Sequence, residues 1–503
     1  MRKRYVSALS ATVARVRQRG YPLDLDTIPF DDPATLALLG AGGTLGCFQL
    51  ESSGMRALLR IMRPRSLDDV IAAISLFRPG PIEGALKDVF LARLRTGRQP
   101  DYPHPAMAAI LAETYGVVLF QEQFLRLVHE LAGYSLGEAE RLRRRLSKSP
   151  GPDERAALRA AFVAGAIGRD IAQPLAEQLW EPLAANAGFG FCTAHAASYG
   201  VVAYRTAYCK AHYPAELLAA VLDNQAGFYP AQAYVEEARR LGIAVHGPEV
   251  NSSAAGTQAP GQEIALGLGA VQGLRQTAVA ALLAARRAEG PFSSLADLLT
   301  RVPLRQAEVT TLVQVGALDR IAGGHSRLAL LWQARLWLPV LERERAGAGG
   351  QGRLPLPTDL PALPAAMPTL RPYSPAEELD LERAAFGFTR SANPLLPYAA
   401  ALTHFGAVPA RDLAAQPGPS VVVAGWPVTV RRHRTRQGGW MLFCTLQDLT
   451  DLCEVVVLPE HYAAAWAALA AGGPLLVRGD REIADHGGVI LRGTKFRTLP
   501  LPS

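Results

Sequence analysis

Cysteine is scarce and dispersed: the 503 residues contain five, Cys47, Cys192, Cys209, Cys444 and Cys453, and none forms a Cys-x-x-Cys pair. An odd, scattered set excludes a disulfide framework and a zinc site and fits a reducing compartment. Long apolar runs are missing as well. No stretch reaches the roughly 18 residues that a membrane-spanning helix needs, and no apolar segment follows the basic Met1-Arg-Lys-Arg4. A soluble, cytoplasmic chain is expected. Acid is the minority charge, with 45 Asp and Glu against 52 Lys and Arg, and the excess of +7 leans toward an anionic partner such as nucleic acid. Carboxylate clusters suited to metal are also missing. Asp24-Leu-Asp26 reads as a polar loop, and Asp31 and Asp32 read as caps of a helix starting near Pro33.

The densest feature that is present is a run of arginines in Leu131-Ala-Gly-Tyr-Ser-Leu-Gly-Glu-Ala-Glu-Arg-Leu-Arg-Arg-Arg-Leu-Ser-Lys148. Gly133 to Gly137 reads as a turn and helix start, after which Leu142 and Leu146, four apart, share a buried face. Arg141, Arg144, Arg145 and Lys148 then project elsewhere as a cationic comb. Guanidinium forks hold phosphate oxygens bidentately and do not lose their charge, so the comb suits a triphosphate or a nucleic-acid backbone. A solvated helix face with Glu140 paired to Arg144 explains the same pattern.

The length predicts roughly three or four domains at ~150 residues each. Residues 35–224 alternate amphipathic stretches with proline turns such as Arg78-Pro-Gly-Pro81 and read as mostly helical. Residues 226–330 read as shorter helices separated by glycines. Among them, Gly267-Leu-Gly-Ala-Val-Gln-Gly273 leads into a helix over residues 277–287. Backbone N–H groups of Gly267, Gly269 and Gly273 at such a turn suit a helix-hairpin-helix that grips one phosphate strand, although a plain glycine-capped hairpin fits too. A Gly- and Pro-rich linker follows. Within it Gln351, Leu354 and Leu356 have a spacing that could dock an extended peptide into an apolar groove, and an ordinary Pro-rich linker is the favoured reading. Residues 420–498 carry strand-like runs with one helix before the fourth, the pattern of a small oligonucleotide-binding barrel, the OB-fold. Arg431, Arg432, Arg434 and Arg436 with Trp440 predict a basic, aromatic-edged loop for single strands; a barrel used for protein contact is the other reading.

Taken in order, the segments resemble the alpha subunit of bacterial DNA polymerase III, the C-family DNA polymerases. The resemblance rests on Gly46-Cys-Phe-Gln-Leu-Glu-Ser-Ser-Gly-Met55, Phe77-Arg-Pro-Gly-Pro81, Tyr102-Pro-His-Pro105, Glu113-Thr-Tyr-Gly-Val117 and Gln121-Glu-Gln123. After the arginine run it continues with Gly188-Phe-Gly-Phe191, His195-Ala-Ala-Ser-Tyr199 and Lys210-Ala-His-Tyr-Pro-Ala-Glu216. It implies a multidomain, mostly α protein with a C-terminal β-barrel OB-fold. The expected divisions are a palm-to-fingers connection (1–45), fingers (46–225), a helix-hairpin-helix region (226–335), a linker (336–375), a short helical segment (376–415) and the OB-fold (418–503).

By position, Arg143 and Arg144 match the family's paired arginines on the triphosphate of the incoming dNTP. His195 matches a residue near its sugar and base, and Arg78 lies in a turn that shapes the pocket, with a ligand or a structural role. The family usually has Tyr-Gly-Phe-Asn-Lys-Ser before that histidine; here Phe189-Gly-Phe-Cys-Thr-Ala194 removes a phenol, an amide, a cation and a hydroxyl. Asn224 to Gln232 looks closer to the error-prone branch. Polymerisation needs two metal ions held by carboxylates, and the family's palm aspartates precede the segment matching Met1. The expectation is therefore a chain without palm or nuclease domain, inactive alone, with Mg2+ bound only when a palm is supplied elsewhere. Expected partners are template-primer and single-stranded DNA, a deoxynucleoside triphosphate, a palm-bearing chain and a sliding clamp, and no membrane. A non-catalytic DNA-binding scaffold derived from such a polymerase is the alternative.

Overall fold

The computed structural model describes residues 2–77, 86–188, 190–347, 370–435, 437–484 and 488–499. Arg78, Arg436, Gln351, Leu354 and Leu356 lie outside the described residues. The chain gathers into two compact units, one of residues 27–211 with 483–488, the other of 1–26, 212–482 and 489–503.

The unit of residues 27–211 is helical. Asp32 caps its first helix, Pro33–Gly40, by accepting from the Thr35 amide at 2.8 Å, with proline at the first helical position. Helices α1 (Gln121–Ala132), α2 (Leu136–Leu146), α3 (Pro152–Ile167) and α4 (Gln173–Asn186) enclose one apolar cluster, with Leu127, Leu131, Leu142, Phe162 and Trp180 all buried. The Phe162 and Trp180 rings lie 5.5 Å apart. Gly165 lets α3 cross close to the end of α1, since a Cβ there would stand 2.4 Å from the Ala132 carbonyl oxygen. Helix α5 (Thr193–His212) follows.

In the other unit the N-terminal helix Arg2–Gln18 packs on Pro214–Asp223, tied by an Arg15–Asp223 ion pair at 3.0 Å. A short parallel pair, β1 (Ala244–His246) and β2 (Glu263–Ala265), precedes helix α6 (Gln276–Glu289). Helix Arg327–Gly347 runs through residues 336–347, which the expected divisions assign to the linker. Leu330, Ala334, Leu338 and Leu341 bury one stripe at helical spacing, and Pro339 is carried inside the helix. That burial outweighs the one backbone bond lost to proline.

The C-terminal barrel is closed in the order β3-β4-β5-β7-β6, with β3 (Ser420–Arg434), β4 (Trp440–Gln447), β5 (Leu452–Val457), β6 (Leu475–Ile483) and β7 (Val489–Thr498). Helix α7 (Tyr462–Ala470) lies between its third and fourth strands, as in an OB-fold. Strand β3 is long enough to pair with β6 through residues 420–425 and with β4 through 426–434, bending where the register shifts between Pro427 and Thr429. Leu442, Leu446, Val455, Val477 and Leu491 fill the interior.

Candidate functional site: an arginine helix, a glycine turn and a barrel face

Helix α2 begins with a reciprocal cap. The Glu138 amide donates to Ser135 Oγ at 3.3 Å, and the Ser135 amide donates to Glu138 Oε2 at 2.9 Å. Ala139, Leu142 and Leu146, spaced three and four apart, turn inward, which fixes where the basic residues stand. Arg143 is half-buried, and its fork meets Glu140 on both oxygens, Nε to Oε2 at 2.8 Å and Nη2 to Oε1 at 3.0 Å. Arg144, 71% exposed, donates from Nε to the same Glu140 Oε1 at 2.7 Å. One carboxylate thus serves two guanidinium groups. The hydrogen bond from Arg143, opposed by burial and reinforced by Arg144, pulls the Glu140 carboxyl down to about 2. Arg145 pairs with Glu154 at 2.8 Å, while Arg141 and Lys148 are exposed. Three of these arginines occupy the last turn, where the negative end of the helix dipole also favours them.

His195 lies in the first turn of α5, and a strand-like contact holds that turn to the start of α1. Gln121 N donates to Phe191 O at 2.9 Å, Phe191 N donates to Leu119 O at 3.0 Å, and Gln121 Nε2 donates to Gly190 O at 3.0 Å. Glu122 then accepts from the Thr193 amide at 3.0 Å and from its hydroxyl at 2.7 Å, filling the helix-start donors as a cap would. Burial would raise the Glu122 carboxyl, but the bonds from Thr193 outweigh it and the net direction is down. Glu122 also acts on Arg143, whose charge is favoured first by Glu140 and further by Glu122. Arg143 and the turn bearing His195 therefore share a neighbourhood with one acidic residue between them. The exposed His195 ring packs on Tyr199 at 4.2 Å and on Phe191 at 5.3 Å. Sequence reasoning misses Glu122 and Thr193; the only signal is the motif Gln121-Glu-Gln123, whose middle residue has no chemistry until its partner is known.

At the glycine turn the amides divide into two groups. Gly267 N donates to Thr257 Oγ1 at 3.5 Å, Leu268 N to Ala254 O and Gly269 N to Ala255 O, both at 2.9 Å. A Cβ on Gly267 would stand 2.4 Å from the Ala255 carbonyl oxygen. Gly267 and Gly269 are thus occupied in close backbone packing and offer no amide to an anion. Gly273, at φ +82, has open space around it and precedes the first turn of α6, whose N–H groups are unsatisfied within the helix. Arg275 beside it is committed to Glu308, with Nε to Oε1 at 2.6 Å and Nη2 to Oε2 at 2.9 Å.

On the barrel, Arg431, Arg432 and Arg434, expected in a loop, stand in strand β3. Pairing of Arg434 with Trp440, His433 with Met441, Arg432 with Leu442 and Arg431 with Phe443 sorts them by strand alternation onto two faces. Arg432 lies between Trp440, 5.6 Å from the ring centre, and Trp466 of α7 at 5.2 Å, and both rings are exposed. Arg434 shares that face. Arg431 stands on the other, 4.8 Å over Phe228. The hairpin continues the strand ladder with hydrogen bonds through residue 434, which is why a run read as loop is strand.

No group of three or more His, Cys, Asp or Glu among the described residues is placed to hold a metal ion. No helix among the described residues is long and apolar enough to cross a membrane.

Two family models match the chain. Residues 6–170 match the bacterial DNA polymerase III alpha subunit finger domain, and residues 242–329 match a helix-hairpin-helix motif. The chain is 38% identical to the DNA polymerase III subunit alpha of Thermus aquaticus, over 93% of its own length and 39% of that protein's. It is 34% identical to the error-prone DNA polymerase of Symbiobacterium thermophilum, over 88% and 44%, and 35% identical to that of Mycobacterium tuberculosis strain H37Rv, over 93% and 41%. The chain spans about two fifths of the length of these curated relatives.

Proposed function

The chain is a homologue of bacterial DNA polymerase III alpha subunits and error-prone DNA polymerases that carries their finger domain, and from that premise we propose that it binds the triphosphate of an incoming deoxynucleotide and grips DNA during synthesis. The observation that carries the nucleotide part is the pair Arg143 and Arg144 sharing the single carboxylate of Glu140. Two forks on one carboxylate retain donors for phosphate oxygens, and Arg144 faces solvent. His195, exposed in the neighbouring turn and flanked by Tyr199, is the proposed contact to sugar or base. For DNA, the Gly273 turn with the start of α6 supports a sequence-independent phosphate contact, and Arg432 with its flanking tryptophans supports stacking against an unpaired strand. Chemistry at metal ions is assigned to no residue of this chain. The clamp peptide read at Gln351, Leu354 and Leu356 stays a proposal outside the described residues.

A fluorescent deoxynucleoside triphosphate and a primer-template duplex, each titrated by anisotropy, test the assignment. Arg143→Ala with Arg144→Ala is expected to weaken nucleotide binding about tenfold or more, since each charge-assisted bond contributes about 1.5–3 kcal/mol, while duplex binding changes little. Arg155→Ala, which removes an exposed pair with Glu181 in the same unit, serves as control and should alter neither. Nucleotide binding that survives the double change would overturn the triphosphate role. DNA binding that persists without any nucleotide binding in the unaltered chain would leave the scaffold reading.

A further inference from the structure

The barrel has a second basic and aromatic surface, away from the hairpin of β3 and β4. A cavity of about 300 Å³ is lined by Phe405, Val422, Leu476, Arg478, Lys495, Phe496 and Arg497. Strand pairing explains the arrangement. Val422 on β3 stands opposite Arg478 on β6, and Leu476, two residues before Arg478, shares its face; Lys495 and Arg497 come from β7, the other neighbour of β6. The floor is therefore apolar and the rim cationic. Arg478, Lys495 and Arg497 are exposed, and none pairs with a carboxylate among the described residues. The nearest acids on β6, Asp480 and Glu482, are taken by Arg492 at 3.9 and 3.0 Å. The Arg497 guanidinium sits 5.5 Å above the Phe405 ring, and His404 meets the same ring at 5.0 Å.

Three exposed cations without a carboxylate partner, around a pocket with two aromatic rings, create a local positive field that attracts an anion. The volume is at the small end for a ligand pocket and suits one base with its sugar rather than a folded partner. We infer that this face binds single-stranded nucleic acid, with one base against Phe405 and the flanking phosphates on Arg478, Lys495 and Arg497. The inference rests on the reading of the barrel as a DNA-binding domain but concerns a different face from the Arg432 cluster. It gives a single strand two contact regions on one barrel.

The test is binding of the full chain to a fluorescent oligo-dT, measured across a salt series. Arg478→Ser, Lys495→Ser and Arg497→Ser together should weaken binding about tenfold at low salt. The triple change should also make the dependence of log K on log salt shallower by about 2, at roughly 0.7 for each phosphate that a single strand no longer has neutralised. Phe405→Leu keeps the apolar packing and should weaken oligo-dT binding while leaving affinity for an abasic oligomer unchanged. An unaltered salt slope in the triple variant, with the fold intact by circular dichroism, overturns the inference. So does equal competition by polyglutamate, which would assign the face to an acidic peptide. Arg432→Ser with Trp440→Ala separates the two readings: loss there without loss in the triple variant sinks only the second face, and no loss in either sinks DNA binding by the barrel altogether.

Discussion

Glu140 decides how much of the arginine helix is available. Its carboxylate holds Arg143 on both oxygens and Arg144 on one, so removing its charge frees two guanidinium groups without touching the buried Leu142 and Leu146. Glu140→Gln should therefore raise affinity for triphosphate if the arginines bind phosphate, and should cost stability by about 1 kcal/mol, because the exposed pair with Arg144 contributes little and the half-buried one with Arg143 keeps an acceptor in the amide oxygen. The carboxyl sits at about 2 against an ordinary value of 4.5. A depressed folded value means that its contribution is present above 4.5 and lost as the pH falls toward 2, so acid should loosen both arginines in that window. Chemical-shift titration of the arginine side chains between pH 6 and about 2 checks the sign. Glu122 behaves in the same sense, since its bonds to Thr193 lower it despite burial. Glu122→Ala should cost about 1 kcal/mol, as loss of a helix cap does, and should speed amide exchange at residues 193–196.

The arginines are legible as residues because charge at helical spacing can be read from letters alone. Their partners are only half legible. Glu140 lies on the same helix, but Glu122 meets Thr193 across 71 residues, and no local pattern announces that pairing.

Among the elements, α2 shows which letters set the fold and which are free to carry function. Ser135 starts the helix and Leu142 anchors it, so Ser135→Ala should cost about 1 kcal/mol and Leu142→Ala about 2–5 kcal/mol. Arg144→Ala, exposed and outside the core, should stay within about 0.5 kcal/mol. Urea denaturation of the three variants gives the ranking; an Arg144 variant as damaged as the Leu142 variant would mean that the comb is structural. Element type follows from periodicity wherever burial has one period, as in α6 and the barrel strands. It fails where a compositional signal competes with burial. The expected division starts the linker at residue 336, yet Leu338 and Leu341 keep the helix going to Gly347. Arginines at 431–434 suggest a loop, yet pairing with β4 continues to Arg434. The glycines at 267 and 269 suggest an open anion site, but their spacing serves the approach of residues 254–256, which lie close only after folding.

At the scale of the whole chain, the mostly helical body with a terminal barrel can be read from the order of its periodic segments, whereas the grouping into two units cannot. Residues 1–26 join the unit of the hairpins and barrel because Arg15 and Asp223 pair across 208 positions, a contact no window of sequence contains. That grouping has a thermodynamic consequence. Leu142 belongs to the cluster around Trp180, and Leu442 belongs to the cluster inside the barrel, and no residue is common to the two clusters. A chain with separate cores departs from a single all-or-none transition. Leu142→Ala should lower the melting of the unit of residues 27–211 and leave the barrel's transition in place, and Leu442→Ala should do the reverse, each by about 2–5 kcal/mol in its own unit. Scanning calorimetry of the two variants and their combination reads this directly: sites that share no partners should add within about 0.5 kcal/mol, whereas a single transition moved equally by either change would show that the two units fold as one.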